Sequence, residues 1–425
     1  MVLLGDVIKV NPESISKGYQ YNQIEYIDIS SVGTGTLSGT TQYELKDAPG
    51  RAKRLVKDGD TIVATVRPNL RSFLYIKNPK PNLVVSTGFA VLRPRENIDS
   101  RFLYYTVTNQ AFTDYLVSRV KGAAYPAVDV ETFEKAEINL PSLPTQRKIA
   151  AILSTYDDLI ENNTRRIKIL EEMAQLIYRE WFVKFRFSGH EKVKMVESEL
   201  GPIPEGWEVK NIGSLLAHTI GGGWGEVSRS DKYTVPAYVI RGTDIPNVRQ
   251  GSIESCPLRY HTESNFRSRK LKAGDIVFEV SGGSKGQPVG RALLINQSLL
   301  NSYDNDVICA SFCKLIRPDK ETILPELIYL HLLEIYANGV IEKYQVQSTG
   351  ITNFKYEFFL KNDQILVPDR EIQQNFADHI IPIFDMIQKL GAKNRNLRRT
   401  RDLLLPKLIS GELDVEDLDI AVGGD

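Results

Sequence analysis

From residue 144 to 185 the chain reads PTQRKIAAILSTYDDLIENNTRRIKILEEMAQLIYREWFVKF, and its apolar positions recur alternately four and three residues apart. They are Ile149, Leu153, Tyr156, Ile160, then Asn163, then Ile167, Leu170, Ala174, Ile177 and Trp181. A stripe of this period predicts a long helix whose apolar seam needs a partner helix to cover it. The same alternation returns at Phe376, Ile380, Ile383, Ile387, Leu390, Asn394, Leu397, Arg401, Leu404 and Leu408. The chain therefore carries a partner for its own helix, and the two can lie antiparallel. Helices of roughly 40 residues rise about 60 Å at 1.5 Å per residue. Pro382 falls inside the second run and is expected to kink it or split off its first turn or two. Asn163, Asn394 and Arg401 occupy seam positions, where a polar side chain either fixes register or is a tolerated imperfection near solvent.

Outside these runs the pattern changes to short alternating stretches rich in Val, Ile, Thr and Tyr. IEYIDIS, DTIVATV, SFLYI and GFAVLRP predict strands, broken by Gly, Pro and Asn. One helix is expected at SRFLYYTVTNQAFTDYLVS, residues 100–118. The stretch GPIPEGW at 201–207 breaks any helix and restarts an apolar pattern, after which the first plan repeats. Gly5–Ile8 corresponds loosely to Gly213–Leu216, and LVKDGDTIVATV to LKAGDIVFEV, with Gly59-Asp60 on Gly274-Asp275. Arg54 and Lys57 align with Arg269 and Lys272, FAVLRP with FCKLIRP, and INLPSLPTQRKI with ILVPDREIQQNF, which places Gln146 on Gln373. The repeat is strong in plan and weak in identity.

The expected fold class is α+β: two similar strand-rich α/β domains separated by two long antiparallel helices forming a coiled coil. The expected boundaries are a domain of 1–141, a helix of 142–187, a linker of 188–206, a second domain of 207–367, a second helix of 368–410 and a tail of 411–425.

Composition adds exclusions. With 53 basic and 53 acidic residues the formal charge is zero, which argues against indiscriminate coating of nucleic acid and shifts attention to local clusters. Three stand out: Arg51, Lys53, Arg54 and Lys57; Arg267, Arg269, Lys270 and Lys272; and Lys389 to Arg401 on the second helix. No apolar run reaches membrane-spanning length and no secretory leader is legible, so a cytoplasmic protein with no membrane partner is expected. Cys256, Cys309 and Cys313 are too few for a disulfide framework. Period-two counting puts Cys309 and Cys313 on one face of one strand as buried thiols. No metal site is expected from these or from the five scattered histidines. SGGSKGQPVG (281–290) lacks the glycine that precedes lysine in a phosphate loop, GTGTLSG (33–39) lacks a third glycine for dinucleotide binding, and no nucleophile elbow is present. No catalytic residue is assigned.

What remains is polar loops beside basic clusters, chemistry suited to phosphate contact and base readout. In the first half the candidates are Arg54, Lys57, Arg67, Asn69, Arg71, Lys121 and Tyr125. In the second they are Arg241, Thr243, Arg269, Lys272, Ser281, Lys285, Gln287, Thr349, Thr352 and Asn353. Taken singly, a charge of this kind is more often a solvated surface residue. Their placement favours function: VKGAAYPAVD and QSTGITNFKY stand at the same point of both halves, just ahead of the helix boundary.

With these stretches in view, the chain resembles the specificity subunits of type I DNA restriction–modification systems. The resemblance rests on the duplicated plan, INLPSLPTQRKIAAIL and ILVPDREIQQNFADHI at the helix entries, SELGPIPEGWEV at the restart and LLLPKLISGEL at the end of the second helix. It covers essentially the whole chain. It implies two target-recognition domains, each reading one half of a bipartite, asymmetric site in double-stranded DNA, and a helix pair acting as spacer. It also implies two modification (methyltransferase) subunits and restriction (endonuclease/translocase) subunits as partners. S-adenosylmethionine, ATP and magnesium would belong to those partners, with no cofactor in this chain. The runner-up expectation is a free-standing sequence-specific DNA-binding regulator.

Overall fold

The computed structural model describes residues 1–121, 126–282, 287–348 and 350–421. It divides into two compact units, Met1–Leu159 with Leu397–Asp425, and Ile160–Asn396.

In the first unit the buried strand Thr61–Ala64 lies between Phe89–Pro94 and Phe73–Tyr75, and Ile8–Val10 closes the other edge of Phe89–Pro94, all antiparallel. A second sheet pairs Gln23–Ile27 in parallel with Leu83–Ser86 and is flanked by Thr41–Glu44 and Ala52–Leu55. Central runs such as Val84-Val85 and Ala90–Leu92 are apolar on both faces, as strands covered on both sides must be. The stretch expected as one helix is two, Ser100–Thr108 and Gln110–Val117. Asn109 breaks it: its backbone is extended and its side-chain oxygen accepts the Phe112 amide, an N-cap that starts the second helix. Phe102 and Leu103 pack with Leu4, Leu92 and Phe133, each fully buried, and each such side chain contributes about 1.5–3 kcal/mol.

The second unit repeats this wiring. Ile276–Glu279 lies between Cys313–Pro318 and Ala292–Leu294, with Leu216–Gly221 at the edge; Val235–Ile240 pairs in parallel with Val307–Cys309 and antiparallel with Leu258–His261. The aligned residues perform the same tasks. Gly59 and Gly274 both turn with positive φ, +84° and +93°. Buried Asp60 accepts the Lys57 amide at 2.7 Å and a fork from Arg93 at 2.9 and 2.8 Å. Buried Asp275 accepts the Lys272 amide at 2.7 Å and a fork from Arg317 at 2.6 and 2.7 Å. A carboxylate withdrawn from water needs such pairing. Gly5 and Gly213 each lie against the last turn of a short helix, Val130–Glu134 and Tyr356–Asn362, where a Cβ would fall 3.1 Å or less from the helix backbone.

Two further expectations fail. Arg54 lies in the strand Ala52–Leu55, whereas Arg269 ends the helix Glu263–Arg269, so this aligned pair shares no element. Cys309 and Cys313 close one strand and open another in different sheets, because Ala310–Phe312 turns the chain between them. Both thiols are buried, and burial pushes Cys309 up to about 12.

The long helices run Leu143–Tyr178, followed by a π-helical turn Arg179–Val183 that holds Trp181, and Arg370–Ser410. The second passes through Pro382 and Pro406 without a break. Pro382 is exposed, so the carbonyl it leaves without a donor faces water, which removes most of the cost of the missing bond. Both helices start from the same clasp. Gln146 accepts the Asp99 amide at 2.9 Å and donates to the carbonyls of Asn97 and Pro141; Gln373 accepts the Leu324 amide at 2.9 Å and donates to those of Thr322 and Pro368.

Candidate nucleic-acid interface

The loop 65–72 of the first unit leaves the central strand and wraps a 3-10 turn, Pro68–Leu70, flanked by Arg67 and Arg71. Both arginines sit in the left-handed region, φ +50° and +54°, a conformation that costs a side-chain-bearing residue energy and that concentrates at functional loops. The turn holds Asn69 and Leu70 in solvent. Arg71 is committed to the fold: it donates to Gln110 Oε1 at 2.9 Å and the Thr108 carbonyl at 2.8 Å, and its guanidinium lies over Phe73. Beside this loop Lys121 exchanges backbone bonds with Ala127 and places Nζ 2.7 Å from Asp129. The Lys121 ammonium and the Thr132 hydroxyl and amide hold the Asp129 carboxyl well below its usual range. The Arg67 amide donates to the Pro126 carbonyl, joining the two loops. Tyr125 lies outside the described residues.

In the second unit Ser281–Gly282 pairs with Ile351–Phe354, which pairs with Gln345–Ser348. This three-stranded sheet brings Ser281, Thr352 and Asn353 together, with Ser281 Oγ donating to Asn353 Oδ1 at 2.8 Å and Asn353 Nδ2 donating to Ser348 Oγ at 3.1 Å. Gln287 is exposed beyond Gly282; Lys285 and Thr349 lie outside the described residues. Beneath Ser281, the buried Glu279 carboxylate receives a two-pronged bond from Arg291, and a Cβ on Gly242 would come within 2.3 Å of it.

The remaining candidates do not converge on these loops. Lys57 pairs its ammonium with Glu13 at 2.5 Å, and Lys272 is exposed beside the Asp275 clasp. Arg54 is half-buried, and burial lowers its guanidinium from the usual value. Arg241 grips Asp244 and the Ser255 carbonyl, with Thr243 exposed next to it, and Arg269 donates to the Gly221 carbonyl. Arg241 and Arg269 are braces of the domain.

No seam position of either helix is exposed. Within the first unit, Ile149 and Leu153 pack with Leu404 and Leu408, and Arg401 reaches Asp157, which also accepts the Tyr105 hydroxyl at 2.6 Å; Tyr156 and Leu397 are half-buried. Within the second, Ile167 packs with Leu170, Ile383, Ile387 and Leu390. Ile177 and Trp181 join Phe376 and Ile380. Half-buried Ile160 offers its carbonyl to Asn394. Asn163 Nδ2 donates to Asn394 Oδ1 at 2.9 Å. Among the described residues no three His, Cys, Asp or Glu side chains are grouped to hold a metal, and no helix is long and apolar enough to cross a membrane.

Two similar domains, each clasped to a long helix, define an architecture that is also found in known proteins. Residues 1–172 match the family described as the type I restriction modification DNA specificity domain. The chain is 27% identical to the MjaIX type I restriction enzyme specificity subunit of Methanocaldococcus jannaschii, over 97% of this chain and 88% of that one. It is 24% identical to the HindI specificity subunit of Haemophilus influenzae, over 96% and 98%. The crystal structure of the type I restriction–modification S subunit from M. genitalium has the same fold, with a TM-score of 0.54 at 13% identity over 96% of this chain and 95% of that one. Over nearly its whole length the chain is thus similar to type I specificity subunits.

Sequence reasoning overlooked apolar side chains among the loops, because it searched for charge and amides. Val346 and Ile351 are 42% and 43% exposed on the hairpin that carries Asn353, and Phe312 is exposed beside Ser281, whose amide donates to its carbonyl. Trp224 is exposed under the Arg259 guanidinium, 4.7 Å from the ring centre. The GGGWG run at 221–225 was the available signal for Trp224; an exposed Val in a strand gives none.

Proposed function

We propose that this chain is the sequence-specific DNA-recognition subunit of a type I restriction–modification complex, with each domain reading one half of a bipartite, asymmetric duplex site. The observation that carries the reading is the duplication. Sheet order, the Asp60 and Asp275 clasps and the Gln146 and Gln373 clasps recur in both halves, while the loops at the interface differ. Equal frames with unequal loops suit two reading heads with different targets. The helix pair sets the spacer between half-sites and docks two modification subunits, and restriction subunits join the assembly. S-adenosylmethionine, ATP and magnesium serve those partners; this subunit is non-catalytic and works in the cytoplasm.

Methylome sequencing of a host carrying this chain with its modification subunits tests the proposal. One motif with two defined halves and a fixed undefined spacer is expected. Tight binding of the isolated chain to an undivided site, with no methylation by any assembled complex, would favour a free-standing regulator instead.

A further inference from the structure

The two interface loops look unrelated in sequence, yet their backbones build one arrangement. Val66 and Ser281 stand at the same distance past Asp60 and Asp275, and Ala127 and Asn353 at the same distance before the helices Val130–Glu134 and Tyr356–Asn362. In the first domain Ala127 bridges Val66 on one side and Lys121 on the other. In the second Asn353 pairs with Ser281 on one side and Val346 on the other. Cross-strand partners project from the same face, so each domain presents a row of three side chains. The bond between Ser281 and Asn353 shows that these two share a face. The residues next in sequence point the other way: Val128 and Phe354 are buried in their domain cores. The rows face outward, and Asn353, Val346 and Lys121 are exposed.

We propose that these rows, Val66–Ala127–Lys121 and Ser281–Asn353–Val346, are the base-reading positions of the two domains; this rests on the function proposed above. A two-stranded ribbon fits the major groove, where each base pair shows a distinct pattern. Asn353 spends one lone pair on Ser281 and one hydrogen on Ser348, which leaves one of each for the N7 and N6 edge of adenine. Val346 offers an apolar surface to a thymine methyl. The first row has different chemistry. Lys121 exchanges Asp129 for the N7 and O6 edge of guanine, and Val66 and Ala127 meet a methyl. Shared backbone with exchanged side chains explains how one fold reads two half-sites.

Binding of the complex with its modification subunits to synthetic duplexes tests this, each base pair of both half-sites being varied in turn. Asn353→Ala is expected to lower discrimination about tenfold or more at one A·T pair of one half-site and to leave the other half-site unchanged. Uracil in place of thymine in that half-site weakens native binding at one position and leaves Val346→Ala unaffected. Lys121→Ala acts on the other half-site alone. Retention of full discrimination by Asn353→Ala and Val346→Ala, or a loss spread evenly over both half-sites, overturns the assignment. The unaltered half-site is the control for folding. If the native complex discriminates no half-site at all, it is the proposed function that fails.

Discussion

Asn163 and Asn394 are buried to 9% and 3% exposure in a seam that is otherwise largely apolar, and they satisfy each other at 2.9 Å. Asn394 also donates to Thr164 Oγ1 at 3.3 Å and to the Ile160 carbonyl. A heptad slip of one helix would part the two amides and set one of them against an aliphatic side chain, Asn394 against Leu170 or Asn163 against Ile387, leaving it unpaired at about 1–3 kcal/mol. The pair therefore selects the observed register. Asn163→Leu should lower the unfolding free energy of the chain by about 1–3 kcal/mol in urea titration, because Asn394 loses its buried partner. Asn163→Leu with Asn394→Leu should recover most of that loss, since an apolar pair fits an apolar seam. A double variant no more stable than the single one would show that the pair contributes through more than its mutual bond. Arg401 follows the same logic in the first unit: burial pulls its guanidinium down, but Asp157 and Asp402 hold it above the usual value.

Both long helices were legible as elements because a four-three alternation has one structural meaning, and the strands were legible because Val-rich runs between glycines have few others. What the sequence concealed depended on direction. Period counting could not show that Pro382 faces water, that Asn109 caps a new helix, or that Ala310–Phe312 folds Cys313 into another sheet. Charge gave an equally partial account of the candidate site. Arg71, Arg241 and Arg269 look like phosphate ligands in sequence but spend their donors on main-chain carbonyls and nearby side chains, and only the partner geometry reveals this. The boundary between the units cuts the helices between Leu159 and Ile160 and between Asn396 and Leu397. Inserting one heptad at both points leaves every contact inside each unit intact and adds about 10 Å of helix at 1.5 Å per residue. The methylated motif should keep both half-sites and gain a longer spacer, on the order of three base pairs by rise alone. A change in half-site sequence would refute the spacer role.

At the scale of the whole molecule, the first domain is tied into the chain at three places, and these decide how it can be exchanged. Gln146, on the long helix, clasps the main chain at Asn97 and Asp99, so a grafted domain must bring a loop with the same amide and carbonyl. Val415 and Ile420 of the C-terminal tail pack on the core of the first unit, and Lys148 donates to the Glu416 carbonyl. Leu408 and Ile409 add the end of the second helix to that same core. Replacing 1–140 with the corresponding segment of a similar specificity subunit should therefore succeed where the donor keeps a loop for Gln146 and an apolar seat for Val415. The second domain is untouched by such an exchange, since the Gln373 clasp and its own core lie wholly within Ile160–Asn396. The hybrid should methylate a motif with one half-site from the donor and the other unchanged, read directly from the methylome. Alteration of both halves would mean that the two domains do not read independently. A hybrid that folds but keeps the original motif would place base reading outside residues 1–140, and with it outside Val66, Ala127 and Lys121.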